Sequence, residues 1–142
     1  MTVKRRVGAV VAALTMCGSL VAGLAPSAAA AEHDSVCNSF EICFYYNSNL
    51  GGAKHDYRYR ISNFAGYNFL SPGAGAGQPV KNNAASARNY DGYFTARVYF
   101  NSGWSGPADD VNILSWRNLG DTYNDNASYA WCHQVPLQCI TN

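Results

Sequence analysis

The sequence predicts an all-β domain closed by disulfides. Three observations carry this. The chain is rich in Tyr, Asn, Ser and Gly, with 10 Tyr and 13 Gly, a composition of strands joined by turns. Period-two alternation recurs, and nothing between Cys37 and Asn142 shows a helical stripe. Two segments in the two halves of the chain match each other, as expected of two stacked copies of one supersecondary unit.

The N-terminal stretch sets the composition of the rest. Lys4, Arg5 and Arg6 precede an apolar run from Val7 to Leu24, which ends at Pro26, Ser27 and the small residues Ala28 to Ala31. Charge, apolar core and small-residue cleavage site in that order predict a secretory signal peptide over 1–31. The run is long enough to raise a membrane anchor, but Gly8, Gly18 and Gly23 and the Ala-rich end favour cleavage. Met16 before Cys17 is too large for a lipidation site. The expected product is a secreted, monomeric single domain over 32–142 with no membrane segment. Loss of Lys4, Arg5 and Arg6 turns a net charge of +1 slightly negative, and no basic patch remains to attract nucleic acid.

Cleavage also removes Cys17, leaving Cys37, Cys43, Cys132 and Cys139. An even count in a small exported domain predicts two disulfides with three possible connectivities, of which the short local pairs Cys37–Cys43 and Cys132–Cys139 are favoured. The spacings do not suit zinc.

Glu32 to Val36 reads as a frayed leader. Ile42 to Tyr46 is a short aromatic strand, and Asn47 to Gly52 is turn chemistry. His55, Tyr57, Tyr59 and Ile61 alternate with Asp56, Arg58 and Arg60, predicting a half-buried strand with a solvated charged face. Leu70 to Val80 is a glycine- and proline-rich loop. Ser86 to Tyr90 and Tyr93 to Phe100 flank Asp91-Gly92, a hairpin signal. Asn101 to Pro107 reads as a turn, and Val111 to Trp116 and Ala127 to Trp131 as the last strands.

The repeat is Tyr45-Tyr46-Asn47-Ser48-Asn49-Leu50-Gly51-Gly52 against Tyr99-Phe100-Asn101-Ser102-Gly103-Trp104-Ser105-Gly106. Each copy reads aromatic, four residues, large apolar, one residue, Gly, and each is followed downstream by Asn or Asp, two residues, then Ser: Asn83 to Ser86, and Asp125 to Ser128. The late Gly supplies a conformation other residues hold at a cost, and the Ser can hydrogen-bond into the folded hairpin. This pattern, carried by Tyr45, Leu50, Gly52 and Ser86 and by Tyr99, Trp104, Gly106 and Ser128, resembles the βγ-crystallin Greek key. The resemblance implies an all-β, βγ-crystallin-like double Greek key sandwich. Within that fold, the early Cys37–Cys43 pair, the Ala85-Ser86-Ala87-Arg88 corner and the hairpin running to Tyr99 resemble secreted bacterial inhibitors of metalloproteinases.

That resemblance implies an inhibitor that occupies the active-site cleft of an extracellular, thermolysin-like metalloproteinase with a rigid, disulfide-clamped loop. The loop in question is His133, Gln134, Val135, Pro136 and Leu137, between Cys132 and Cys139. Val135 and Leu137 are suited to an apolar pocket and His133 to the zinc. The alternative is that Cys132–Cys139 only pins the tail. The crystallin resemblance also implies a possible weak calcium site at Asn82, Asn83 and Ser86 and at Asn124, Asp125 and Ser128, where Asp125 is the one carboxylate; without calcium these residues hold a hydrogen-bonded corner. No cofactor is required. Catalysis is not expected: His33, His55 and His133 lack metal-ligand spacing, neither H-E-x-x-H nor G-x-S-x-G occurs, and Asp109 and Asp110 face opposite ways on a strand. The competing reading is a non-inhibitory structural or weakly calcium-binding module, or an aromatic surface for a carbohydrate or partner.

Overall fold

The computed structural model describes residues 31–141. The expected signal peptide, Ala31 apart, lies outside the described residues. The described chain forms eight strands: β1 (Ile42–Asn47), β2 (Gly51–Tyr57), β3 (Ser86–Asn89), β4 (Thr95–Asn101), β5 (Ser105–Val111), β6 (Trp116–Asn118), β7 (Ser128–Gln134) and β8 (Leu137–Cys139). They make two antiparallel sheets, in the orders β2-β1-β3-β6 and β5-β4-β7-β8.

The two sequence repeats are the two Greek keys, and they interlock. β6, which belongs to the second repeat, pairs with β3 in the sheet of the first. In return Ile61 of the first repeat bridges Tyr129 on β7, giving its N–H to the Tyr129 carbonyl at 3.1 Å and accepting the Tyr129 N–H at 2.9 Å. Each sheet is therefore completed by the other repeat, so neither half closes its own edges.

Between the sheets lies an aromatic core. Phe44, Tyr57, Phe64 and Tyr129 are fully buried, with Phe44 5.1 Å from Phe64, 5.8 Å from Tyr57 and 5.9 Å from Tyr129 between ring centroids. Ala96 and Val98 fill the β4 side and Ile42 and Ala87 the other. Rings this close and mostly tilted gain contact beyond burial alone. Tyr57 and Tyr129 have their phenolic pKa values pushed up by burial; the Tyr129 hydroxyl donates to the Tyr59 carbonyl at 2.6 Å.

Several elements differ from the sequence reading. Asp91-Gly92 is not a hairpin turn: β3 and β4 belong to different sheets, and the segment carries the chain across the sandwich. The Asp91 carboxylate accepts the N–H groups of Tyr93 at 2.6 Å and Phe94 at 2.8 Å, a local turn that reads like a hairpin signal but joins layers. The alternating strand ends at Tyr57 rather than Ile61. Its charged face is not uniformly solvated, because Asp56 is fully buried and accepts the backbone N–H of His33 at 2.7 Å and of Ser35. By the same bonds the Glu32–Val36 leader is docked along β2 rather than frayed. Ser105–Pro107, read as turn, opens β5; Pro107 is tolerated there because β5 is an edge strand. Val111 to Trp116 is split by a turn between β5 and β6, and β8 is a strand where a loop was expected.

Candidate functional site

The domain has two ends with different chemistry. At one end the folded hairpins meet the Ser corners. Ser86 Oγ accepts the Leu50 N–H at 3.0 Å and donates to the Asn47 carbonyl at 2.7 Å. Ser128 Oγ does the same for Trp104 N–H at 3.2 Å and the Asn101 carbonyl at 2.7 Å. Leu50 and Trp104 both have positive φ, 58° and 57°, as do Gly52 and Gly106 at 74° and 85°. A Cβ on Gly52 would meet the Ala74 carbonyl at 2.8 Å, so this Gly is required by space as well as by φ. Tyr45 and Tyr99 are buried at the equivalent positions, just before the register shift in each hairpin.

These bonds bear on the calcium reading. Both Ser hydroxyls are committed to the hairpins, and Asn83 Nδ2 donates to the Lys81 carbonyl at 3.0 Å. Asn82 and Asn124 take left-handed φ of 61° and 56° and give their N–H groups across the molecule, to Asn126 and Ala84. The Lys81 ammonium lies beside this corner, 3.1 Å from both Asn63 Oδ1 and Ser102 Oγ, in a concavity shared with Asn82 and Asp125. A fixed positive charge there repels a dication. Among the described residues no group of three or more His, Cys, Asp or Glu side chains is placed to hold a metal.

The opposite end gathers the β7–β8 hairpin, the Cys37–Cys43 loop and the Asp91–Phe94 crossover. Both disulfides join the local pairs Cys37–Cys43 and Cys132–Cys139. Cys132 and Cys139 face each other in register, followed by His133 with Gln138 and Gln134 with Leu137. Only Val135 and Pro136 form the turn. Val135 is 92% exposed and Leu137 42%, whereas Trp131 and Cys132 at the root are buried. The hairpin thus carries apolar side chains into solvent from a fixed base. Grooves run on both sides of it, one bounded by His133, Gln138 and Ile140, the other by Thr95, Asp110 and Gln134. His133 is not at the tip: its ring meets Phe94 edge to face at 5.0 Å. Gln134 Nε2 reaches Thr95 Oγ1 at 3.2 Å.

Sequence spacing missed one histidine pair. His33 Nδ1 and His55 Nε2 are 3.0 Å apart. His55 Nδ1 is 2.7 Å from the Asn68 carbonyl, so Nδ1 carries the proton and Nε2 accepts from His33. Burial, with a smaller contribution from the neighbouring His33, lowers the His55 pKa. No signal in the sequence joins a leader residue to β2. Asp109 and Asp110 do face opposite ways. Asp109 is buried and accepts from Gly120 and Thr122, and Asp110 meets Arg97 at 3.3 Å.

Residues 30–111 match the family model of peptidase inhibitor family I36. The chain belongs to this family. It is therefore a peptidase inhibitor and not an enzyme, and its disulfides accord with an extracellular setting. The inhibitor also matches a solved structure described as "Evolution of the eye lens beta-gamma-crystallin domain fold", with a TM-score of 0.50, 13% identity, and coverage of 69% of this chain and 93% of that one. At that identity the likeness concerns the fold, a βγ-crystallin domain. The N-terminal domain of protein S is matched with a TM-score of 0.47 and 20% identity, over 66% of this chain and 96% of that one. No curated protein matches the inhibitor. The family match covers β1 to β5 and the Cys37–Cys43 loop and stops before the β7–β8 hairpin.

Proposed function

We propose that the inhibitor blocks an extracellular, thermolysin-like metallopeptidase by inserting the tip of the β7–β8 hairpin into its cleft. The observation that carries this is the exposure of Val135 in the two-residue turn and of Leu137 just after it, in a hairpin clamped by Cys132–Cys139. A peptidase cleft binds an extended segment with apolar side chains in its pockets, and a segment already held in shape loses little entropy on binding. Val135 leads into the pocket, with Leu137 behind it. His133, held against Phe94, acts as a buttress for the hairpin rather than as a zinc ligand. Calcium has no part in this reading, and the same melting temperature with calcium and with chelator is expected.

The test is titration of a thermolysin-type enzyme with the mature protein. Near-stoichiometric loss of activity is expected, with Val135→Asp raising the inhibition constant about a hundredfold, a hot-spot-sized loss. An enzyme that stays fully active under large excess of inhibitor would rule out the metallopeptidase, and inhibition of a serine peptidase in its place would redirect the assignment.

A further inference from the structure

The hairpin does not fill the end of the molecule it stands on. Phe40 lies in the Cys37–Cys43 loop and Tyr93 in the Asp91–Phe94 crossover. Their rings are parallel to within 9°, with centroids 6.2 Å apart, and they remain 44% and 72% exposed. The Arg58 guanidinium lies 5.8 Å from the Phe40 ring centroid. Adjacent to Tyr93, Phe94 touches His133 of the hairpin. The aromatic pair and the hairpin therefore stand at the same end of the domain, linked through the consecutive residues Tyr93 and Phe94.

Both aromatics are presented by fixed backbone. Phe40 has φ of 69°, a left-handed conformation that costs a non-glycine residue about 1 kcal/mol or more. It is held there by the disulfide, by its own N–H on the Tyr90 carbonyl at 3.2 Å, by Tyr90 N–H on the Glu41 carbonyl at 2.8 Å, and by Asn38 N–H on Glu41 Oε2 at 2.6 Å. Tyr93 is held by the Asp91 turn. A left-handed residue held this firmly, with its large apolar ring still 44% exposed, is suited to a contact made outside the domain.

We infer that Phe40, Tyr93 and Arg58 form a second contact surface for the target peptidase, beside the hairpin. The inference rests on the hairpin reading only for which end meets the enzyme. Size supports it: His133 to Gln138 is six residues, whereas a stable interface takes about 20–30 residues from each partner. The residue types support it, since aromatics and Arg are enriched where interfaces draw their affinity. The family relationship supports it as well, because the match to peptidase inhibitors spans 30–111 and contains all three of these residues but none of the hairpin. The peptidase surface facing them is apolar, with a carboxylate or carbonyl groups opposite Arg58.

The experiment uses the mature inhibitor with a thermolysin-type metallopeptidase and, beside it, subtilisin-type and trypsin-type serine peptidases. Inhibition constants are compared for wild type, Phe40→Ser/Tyr93→Ser, Arg58→Gln and Val135→Asp, with melting temperature and solution mass recorded for each. The double variant is expected to inhibit at least about tenfold more weakly and Arg58→Gln several-fold more weakly, with the melting temperature unmoved. Unchanged inhibition by both, while Val135→Asp fails, overturns the second surface and leaves the hairpin reading standing. Weakening by the double variant with Val135→Asp fully active supports the surface and removes the hairpin. A wild-type dimer abolished by the double variant makes the patch a self-contact and overturns the inference, as does failure of wild type to bind any of the three enzymes.

Discussion

The Asn126 side chain joins the two Greek keys directly. It is fully buried, its Oδ1 accepts the Ala84 N–H at 2.9 Å, and its Nδ2 donates to the Val80 carbonyl at 2.9 Å. Val80 and Ala84 belong to the first repeat and are fully buried themselves. Asn126→Ala leaves an N–H and a carbonyl unpaired in a dry interior, at about 1–3 kcal/mol each. With the small void added, the loss comes to about 3–5 kcal/mol, a large part of the ~5–15 kcal/mol that holds a domain together. For a domain of this size that lowers the melting temperature by at least about 12 °C. Asn83→Ala is the control. Among the described residues its side chain bonds only to the Lys81 carbonyl in its own half-buried turn, so the expected cost is below about 1 kcal/mol. Urea unfolding followed by tryptophan fluorescence measures both variants. A loss under 1 kcal/mol for Asn126→Ala, or equal losses for the two, would refute the claim that this amide locks the repeats together.

Three further outcomes are expected. Burial lowers the His55 pKa below its unfolded value of about 6.5, so the unfolded state binds more protons and stability falls as pH drops from about 7 toward 5; a urea midpoint that is the same at pH 7.5 and pH 5 contradicts this. For Asp109, burial acts to raise the pKa, but the hydrogen bonds from Thr122 and Gly120 and the charge of Arg117 outweigh it and hold the carboxyl below its usual value. Its contribution is then present above about pH 4 and lost as pH falls through the lowered pKa. Asp109→Asn is expected to cost about 2–3 kcal/mol at pH 7 and less at pH 2, which acid titrations by circular dichroism would show. Finally, Cys132→Ser/Cys139→Ser frees the hairpin at the edge of its sheet. Inhibition is expected to weaken about tenfold or more while the core strands keep their hydrogen-exchange protection; undiminished inhibition would mean that the clamp only pins the tail.

How much of this was legible in the sequence varies by element. Strands with buried faces were readable: β1 and β7 fall where aromatic and apolar residues cluster, and the Ala96–Val98 face of β4 points into the core as its alternation requires. Edge strands were not. β5 reads Ser-Gly-Pro-Ala-Asp-Asp-Val, where one of the two buried positions is the carboxylate Asp109, and β6 is exposed throughout, so neither shows an apolar alternation. Their pairing is set by backbone bonds to a neighbour that the sequence does not name. The repeat revealed two like units, and the Ser of each lies where its hairpin needs a donor and acceptor. The spacing could not reveal that the units trade their third segments, or that Asn126 rather than Asp125 reaches across.

The disulfide-clamped loop at Cys132–Cys139 was visible as a short apolar stretch between cysteines, because local crosslinks depend on short chain distances. The surface made by Phe40, Tyr93 and Arg58 was not, since its members come from three segments and meet only after both sheets are assembled. The sequence by itself determined the all-β class, the two repeats with their glycines and serines, and the local crosslinks, all of which rest on residues near each other along the chain. The tertiary structure decided which sheet each strand joins, which charged groups are buried, and which side chains share the end that carries the hairpin. Those choices depend on contacts between distant residues, whose partners are selected by the packing of the whole core.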